Sequence, residues 1–387
     1  MDNSPKNQQK HIAIVSTIVD DWGGCEELWA LSTPYLQKEG FSITVLKEHV
    51  NLKHKRIAQL KEANVSFFEL NKTLHRIFKL FVTAYFRLFK PATNFQLHRF
   101  EKYLKRQKPQ LVIISQAINF DGLSYGNICL KQQVEFVIVS QKAVEFYWPP
   151  KNERANMIHV FQHAKKCFFV SHHNKNLTEE QFGFRFSNSE IISNPNKLSK
   201  TILPYPSTSF GFKLALIGRL FIIDKGQDIL FRILAKEKWK QRNLQVSLIG
   251  SGPDEEGLKA MANLLDIKNV AFLGFQEDIQ QIWLEHHALV LPSRSEGMPL
   301  VILEAMAAGR TIIATKAGGT MEIVEDEVTG FIGDATESGF EQTLEKAWEN
   351  RHRWESIGIE ASNYLKNQII SNAEIDFANQ IISITHE

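Results

Sequence analysis

Short apolar runs alternate with amphipathic stretches along the whole chain. His11–Ile18, Phe41–Leu46, Val65–Leu70, Leu111–Ser115, Phe136–Ser140, Cys167–Ser171 and a short run opening at Ile191 each read as a buried strand. Between the first two, Glu26–Lys38 places Leu28, Leu31, Tyr35 and Leu36 on one side of a helix, and Gly40 closes it as a C-cap glycine would. The stretch from Lys197 to Phe210, with Pro204, Pro206 and several Ser and Thr, has the composition of a linker. A second series follows it: Lys213–Ile217, Leu244–Ile249, Val270–Phe275, Ala288–Leu291 and Ile312–Thr315. Strands that alternate with helices predict parallel sheets with ligand loops at the strands' carboxyl ends. Residues 340–366 read as one helix anchored by Leu344, Ala347, Trp348, Trp354, Ile357 and Tyr364, and Ala373–Ile384 as a closing helix.

The most informative stretch runs from Ser293 to Ala308. Ala288–Leu291 feeds a tight turn, Ser295-Glu296-Gly297, and Pro299 stands where a first helical residue belongs, with Leu300, Leu303, Ala307 and Ala308 at helical spacing behind it. A helix start offers unbonded N–H groups and the positive end of a dipole, both suited to phosphate. Glu296 lies in the turn and Glu304 more than a helical turn inside, where a charge should face a polar ligand or solvent. Three further signals accompany it: Gly218-Arg219 followed by Lys225-Gly226, the Gly318-Gly319 pair with Glu322, and Thr329-Gly330-Phe331.

These motifs resemble the retaining, nucleotide-sugar-dependent glycosyltransferases of family 4, the glycosyl transferases group 1. The resemblance implies the GT-B fold, an α/β architecture of two Rossmann-like, doubly wound parallel-sheet domains facing across a cleft. It implies that Glu296 meets hydroxyls of the donor sugar, that the backbone of Gly297, Met298, Pro299 and Leu300 holds the diphosphate, and that Glu304 binds the ribose. Gly218 with Arg219 and Lys225 resembles the signature that neutralises the donor diphosphate. Gly274 and Phe275 stand near the turn where the base stacks. Gly23-Gly24, followed by Cys25 and Glu26, resembles the loop that lies over the donor phosphates beside the acceptor. One position departs from the pattern. Members often carry a His just after the fifth strand, where Gln141 stands here. Gln can hydrogen-bond an acceptor hydroxyl but cannot act as a general base.

Composition narrows the rest. The chain has 387 residues, 43% of them hydrophobic, enough for two cores. A net charge of +2 predicts no global attraction to nucleic acid. Three widely spaced cysteines, Cys25, Cys129 and Cys167, suggest a reducing compartment and neither a disulfide framework nor a zinc site. No basic partner near Cys25 marks it as a nucleophile, and His172-His173 reads as a hydrogen-bonded or solvated pair on a strand, where adjacent side chains diverge. The polar first ten residues show no secretory h-region, and no run approaches ~20 continuous apolar residues, so no bilayer span is expected. Residues 51–110 are the exception in charge, with 14 Lys or Arg against three Glu, a balance of +11. Within them Leu74–Lys90 interleaves aromatic and basic residues at helical spacing. It reads either as a core-facing helix with solvated cations or as a surface for anionic lipid or a charged acceptor.

The sequence therefore predicts an acceptor-side domain over 1–200, a nucleotide-sugar donor domain over 205–366, and a closing helix at about 367–387 that packs back on the first domain. The expected activity is metal-independent, retaining transfer of a hexose from a UDP- or GDP-linked donor to a saccharide or lipid-linked acceptor, in cell-surface polysaccharide or glycolipid assembly. No cofactor beyond the donor is implied. The expected location is the cytoplasm, peripheral to the membrane. The rival readings are a nucleotide-binding scaffold without turnover and another GT-B enzyme such as a sugar-nucleotide epimerase.

Overall fold

A computed structural model of the protein describes residues 10–71, 95–195, 202–368 and 372–386. The chain divides into two units. The first draws its described residues from Met1–Val170, Asn174–Pro195 and Asn372–Glu387, and the second from Ser171–His173 and Asn196–Ser371.

The first unit is a seven-stranded sheet of β1 (His11–Ser16), β2 (Ser42–Lys47), β3 (Ser66–Glu69), β4 (Leu111–Gln116), β5 (Phe136–Ser140), β6 (Cys167–Phe169) and β7 (Ser189–Ile191), in the order β3-β2-β1-β4-β5-β6-β7. Every pairing is parallel. The central strands are buried on both faces, so they are apolar without alternation. Ile12, Ile14, Val45, Ile113 and Val139 point to one face, under the Glu27–Lys38 helix and the Ala373–His386 helix. Ala13, Val15, Val112, Ile114 and Ile138 point to the other, beneath Phe100, Tyr103 and Phe161. The last helix is fixed by Ser32 Oγ, which donates to Glu374 O at 2.8 Å, and by Phe377, whose ring meets Phe168 edge-on at 5.4 Å. Full burial of a side chain such as Phe377 contributes about 2 kcal/mol.

The second unit is a six-stranded parallel sheet of β8 (Phe212–Ile217), β9 (Leu244–Ile249), β10 (Val270–Gly274), β11 (Ala288–Leu291), β12 (Thr311–Thr315) and β13 (Gly330–Gly333), ordered β10-β9-β8-β11-β12-β13. Both sheets run outward from their first strand in one direction and then restart beside it. Each therefore has a switch point where neighbouring connections diverge: between β1 and β4 in the first, between β8 and β11 in the second. Crevices for ligands open there, at the carboxyl ends.

Three expectations are corrected. The single helix over 340–366 is two, Glu337–Glu349 and Trp354–Gln368, with a tight turn at Arg351–Arg353 between them. Lys346 O accepts the last helical bond, from the Asn350 N–H, together with Asn350 Nδ2 at 2.9 Å, and Arg351 Nη1 donates to Trp348 O at 2.9 Å, a carbonyl that a continuous helix would use. Strand β13 is absent from the expected series, because Gly330-Phe331-Ile332-Gly333 is short and glycine-flanked and becomes a strand only by pairing with β12. His172 and His173 open the His172–Phe182 helix rather than ending a strand, since β6 stops at Phe169. Leu74–Lys90 and Lys197–Thr201 lie outside the described residues. Among the described residues no helix is long and apolar enough to cross a membrane.

Candidate functional site

In the second unit, the loops after β8 and β11 meet at the switch point. Lys225 Nζ lies 2.6 Å from Glu296 Oε1, and Ser293 Oγ donates to the same oxygen at 2.6 Å. Both donors meet Oε1, which leaves Oε2 to other partners. Glu296 is 6% exposed, so this carboxylate is held by charge and hydrogen bonding inside the protein.

Backbone packing makes the meeting possible. Gly226 has φ +62°, and a Cβ there would stand 2.1 Å from Pro292 O. Gly318 has φ +56°, and its Cβ would stand 2.2 Å from Glu296 O. Only glycine allows the flanking loops to come this close, one on each side of the Ser293–Gly297 turn. Gly319 N–H then donates to Gly297 O at 2.7 Å, and the N–H groups of Arg294 and Ser295 both donate to Asp224 O. Arg294 reaches back to grip Asp228 with two parallel bonds of 2.7 and 2.8 Å, and it also donates to Ile222 O. Burial alone would raise the Asp228 pKa, but Arg294 and Arg232 outweigh it and hold the carboxyl below its ordinary value. Thr315 Oγ1 closes the turn from β12 by donating to Ser293 O.

The helix behind the turn begins one residue later than expected. Pro299 is its cap, with ψ 113°, and Leu300–Ala307 is the helix. Proline has no N–H, so at this end the donors come from Gly297, Met298 and the first helical residues, Leu300 and Val301. Glu304 is the fifth residue of that helix and is 7% exposed, more enclosed than its charge suggested. Gly218 and Arg219 follow β8. Arg219 is exposed, its guanidinium 5.1 Å from the Phe221 ring centre, and its carbonyl accepts from Gln227 Nε2. Gly250 donates its N–H to Gly274 O at 2.8 Å, and a Cβ on it would meet Gly218 O at 2.1 Å. The turns after β8, β9 and β10 thus abut, with Phe275, 71% exposed, at the far end. A separate cleft of 770 Å³, lined by Tyr205, Ser207, Arg351 and His352, lies at the amino end of β8 and holds none of these residues.

In the first unit, Gly23 and Gly24 follow β1. Gly23 N–H donates to Glu26 Oε2 at 3.0 Å. Glu26 is fully buried, and its Oε1 takes Lys47 Nζ at 2.6 Å and Ser16 Oγ at 2.6 Å. Burial raises the Glu26 pKa, and Lys47 and the hydrogen bonds of Ser16 and Gly23 offset only part of that. Gln141 follows β5 and is 3% exposed, and its Nε2 has no acceptor. Burial pushes the Cys129 and Cys167 thiols up, which keeps both protonated.

Residues 211–350 match the family model described as glycosyl transferases group 1. The match lies wholly within the second unit. An uncharacterized glycosyltransferase of Haemophilus influenzae is 33% identical to this chain over 162 residues, which is 41% of this chain and 44% of that protein. The N-acetyl-alpha-D-glucosaminyl L-malate synthase of Bacillus anthracis is 34% identical over 162 residues, 37% of this chain and 42% of that protein. Both alignments thus span less than half of the relative. Over nearly the whole chain the fold is GT-B: the crystal structure of Anabaena Alr3699/HepE in complex with UDP and glucose superposes with a TM-score of 0.72, at 17% identity, over 97% of this chain and 99% of that one.

Several residues that organise this GT-B fold escaped the sequence reading. Ser293, Arg294 and Asp228 brace the turn that carries Glu296, and Lys47 neutralises Glu26. Lys47 left one trace, a lysine that ends its strand directly after the apolar pair Val45-Leu46. Arg294 and Asp228 are 66 residues apart and left none. Arg310, 0% exposed, donates to the carbonyls of Leu203, Pro204, Trp283, His286 and Ala308, which ties the start of the second unit to its core. Burial lowers its pKa to about 10, still far above neutrality.

Proposed function

We propose that the protein transfers a hexose from a UDP- or GDP-linked donor to a saccharide or lipid-linked acceptor, with retention of anomeric configuration and without a metal ion, in cell-surface polysaccharide or glycolipid assembly. The observation that carries this reading is the Lys225–Glu296 pair at the switch point between β8 and β11. A nucleoside diphosphate at that crevice would lie on the helix start at Leu300, beside Arg219 and Lys225. As the sugar–oxygen bond breaks, negative charge grows on the leaving diphosphate. Fixed cations stabilise it without reorganising, each worth about 4 kcal/mol at 4 Å for an effective dielectric near 20. Glu296, held by Ser293 and Lys225 through one oxygen, would offer the other to a donor hydroxyl. Glu304 would hold the ribose, and Gly274 and Phe275 would border the base. Gly23 and Gly24 would cover the phosphates, and Gln141 would stand on the acceptor side without serving as a base. The protein would work at the cytoplasmic face of the membrane, with the basic residues of 51–110 toward anionic lipid.

The test is transfer from a panel of UDP- and GDP-hexoses, with the product anomer read by NMR. Retention is expected, and Glu296→Gln and Lys225→Ala should each cost about 10²–10³ in rate. An inverted product would overturn the stereochemical reading. Near-normal turnover in either variant would overturn the roles given to the pair.

A further inference from the structure

The loop after β5 carries three consecutive aromatic side chains to the surface. Phe146 is 52% exposed, Tyr147 44% and Trp148 62%. Among the described residues this is the one run of three large apolar side chains left in solvent. Exposed apolar clusters of this kind mark contact sites.

Its backbone is held from inside. Gln181, fully buried, donates Nε2 to both Val144 O and Tyr147 O at 2.7 Å, and its Oε1 accepts from Asn119 Nδ2 at 2.7 Å. Asn174 Oδ1 takes the Ala143 N–H, and Tyr147 N–H closes a turn onto Val144 O. Pro149 and Pro150 stiffen the segment behind the three rings, and Pro150 O accepts from the N–H groups of Glu153 and Arg154, the cap and first residue of the Arg154–His163 helix. The rings are thus presented on a fixed frame, which lowers the entropy lost when they are covered.

We propose that Phe146, Tyr147 and Trp148 form a stacking platform for a neutral saccharide, the acceptor of the transfer proposed above, on which this inference rests. Two observations favour a sugar. The loop over 141–153 holds Lys142 and Lys151 against Glu145 and Glu153, so it carries no net charge for anionic lipid or nucleic acid. It begins at Gln141, only 3% exposed, whose Nε2 is an unmet hydrogen-bond donor at the carboxyl end of β5. A pyranose presents an apolar C–H face to an aromatic ring and hydroxyl oxygens at its rim. The exposed rings answer the first and the Gln141 amide at the foot of the same loop the second; Phe146 and Tyr147 meet edge to face with centres 5.0 Å apart, so one of those two, with Trp148, lies flat under a given sugar.

The test titrates maltotriose, cellotriose, mannotriose and chitotriose against the intact protein by tryptophan fluorescence and saturation-transfer NMR, with UDP and GDP titrated in parallel. Phosphatidylcholine and phosphatidylglycerol vesicles are co-sedimented as the lipid arm. At least one trisaccharide should bind saturably. Tyr147→Ala and Trp148→Ala should weaken it at least about tenfold, Trp148→Phe should restore most of the loss, and nucleotide affinity should not change in any variant. No saturable binding by any trisaccharide overturns the platform, as does unchanged binding in the alanine variants. Vesicle binding lost in the same variants, without a saccharide effect, overturns it in favour of lipid. Saccharide binding that depends on Trp148, in a protein that binds neither nucleotide, supports the platform while removing the donor reading.

Discussion

Replacing Gly226 by Ala tests whether close backbone approach assembles the donor site. The new Cβ would lie 2.1 Å from Pro292 O, whereas carbon–oxygen contacts close to about 3.3 Å, so the loops must part by about 1 Å. The φ of +62° adds about 1–2 kcal/mol for any L side chain. Together these predict a stability loss of about 2–4 kcal/mol for the second unit. Lys225 is the neighbouring residue, so the same shift pulls Nζ away from Glu296, and a misplacement of about 1 Å costs about 10²-fold in rate. The control is Gly257→Ala in the Glu255–Leu264 helix, where a Cβ meets nothing within 4 Å. That change should stabilise by about 0.5–1 kcal/mol and leave transfer intact. Urea unfolding and a UDP or GDP titration of both variants make the comparison. If Gly226→Ala unfolds within about 0.5 kcal/mol of wild type and binds nucleotide equally, close approach at Pro292 O is not what assembles the site.

Buried charge supports three further predictions. Asp228 has a depressed pKa in the folded protein, so its contribution is present above the unfolded carboxyl's pKa and is lost as pH falls through the folded value. The stability gap between wild type and Asp228→Asn should therefore be open at pH 7 and close below about pH 4, and a gap that stays constant with acid would contradict the Arg294–Asp228 bridge. Arg310→Met removes the donor shared by six carbonyls, Gly309 O among them, and should cost at least about 3 kcal/mol in urea unfolding, and a loss below about 1 would mean that those carbonyls find other donors. Lys47→Met strands the buried Glu26 carboxylate and should cost about 3–5 kcal/mol, with Glu26→Gln added to it recovering most of the loss, and strictly additive losses would deny the pair.

The order of elements was legible because it is written in local patterns. Apolar runs of strand length, helical spacing behind Glu26 and the glycines that end helices all act within a few residues, so the βα series could be read before any contact was known. The turn at Ser295–Gly297 and its helix were legible for the same reason. The errors came where distant residues decide. The break at Asn350 depends on side chains competing for carbonyls while Trp354 turns inward to bury its ring, and β13 exists only against β12.

By itself, then, the sequence determined two doubly wound series and the stretches that could carry a phosphate ligand, since periodicity and turn chemistry are properties of neighbouring residues. Only the tertiary structure decided which charges meet. Lys225 and Glu296 are 71 positions apart, Arg294 and Asp228 66, and Glu26 and Lys47 21. Sheet order and loop packing bring each pair together, and no spacing along the chain encodes those distances. The same holds for Phe146, Tyr147 and Trp148. Their composition alone assigns them to a core, and a buried Gln181 holding their backbone from below leaves them facing water.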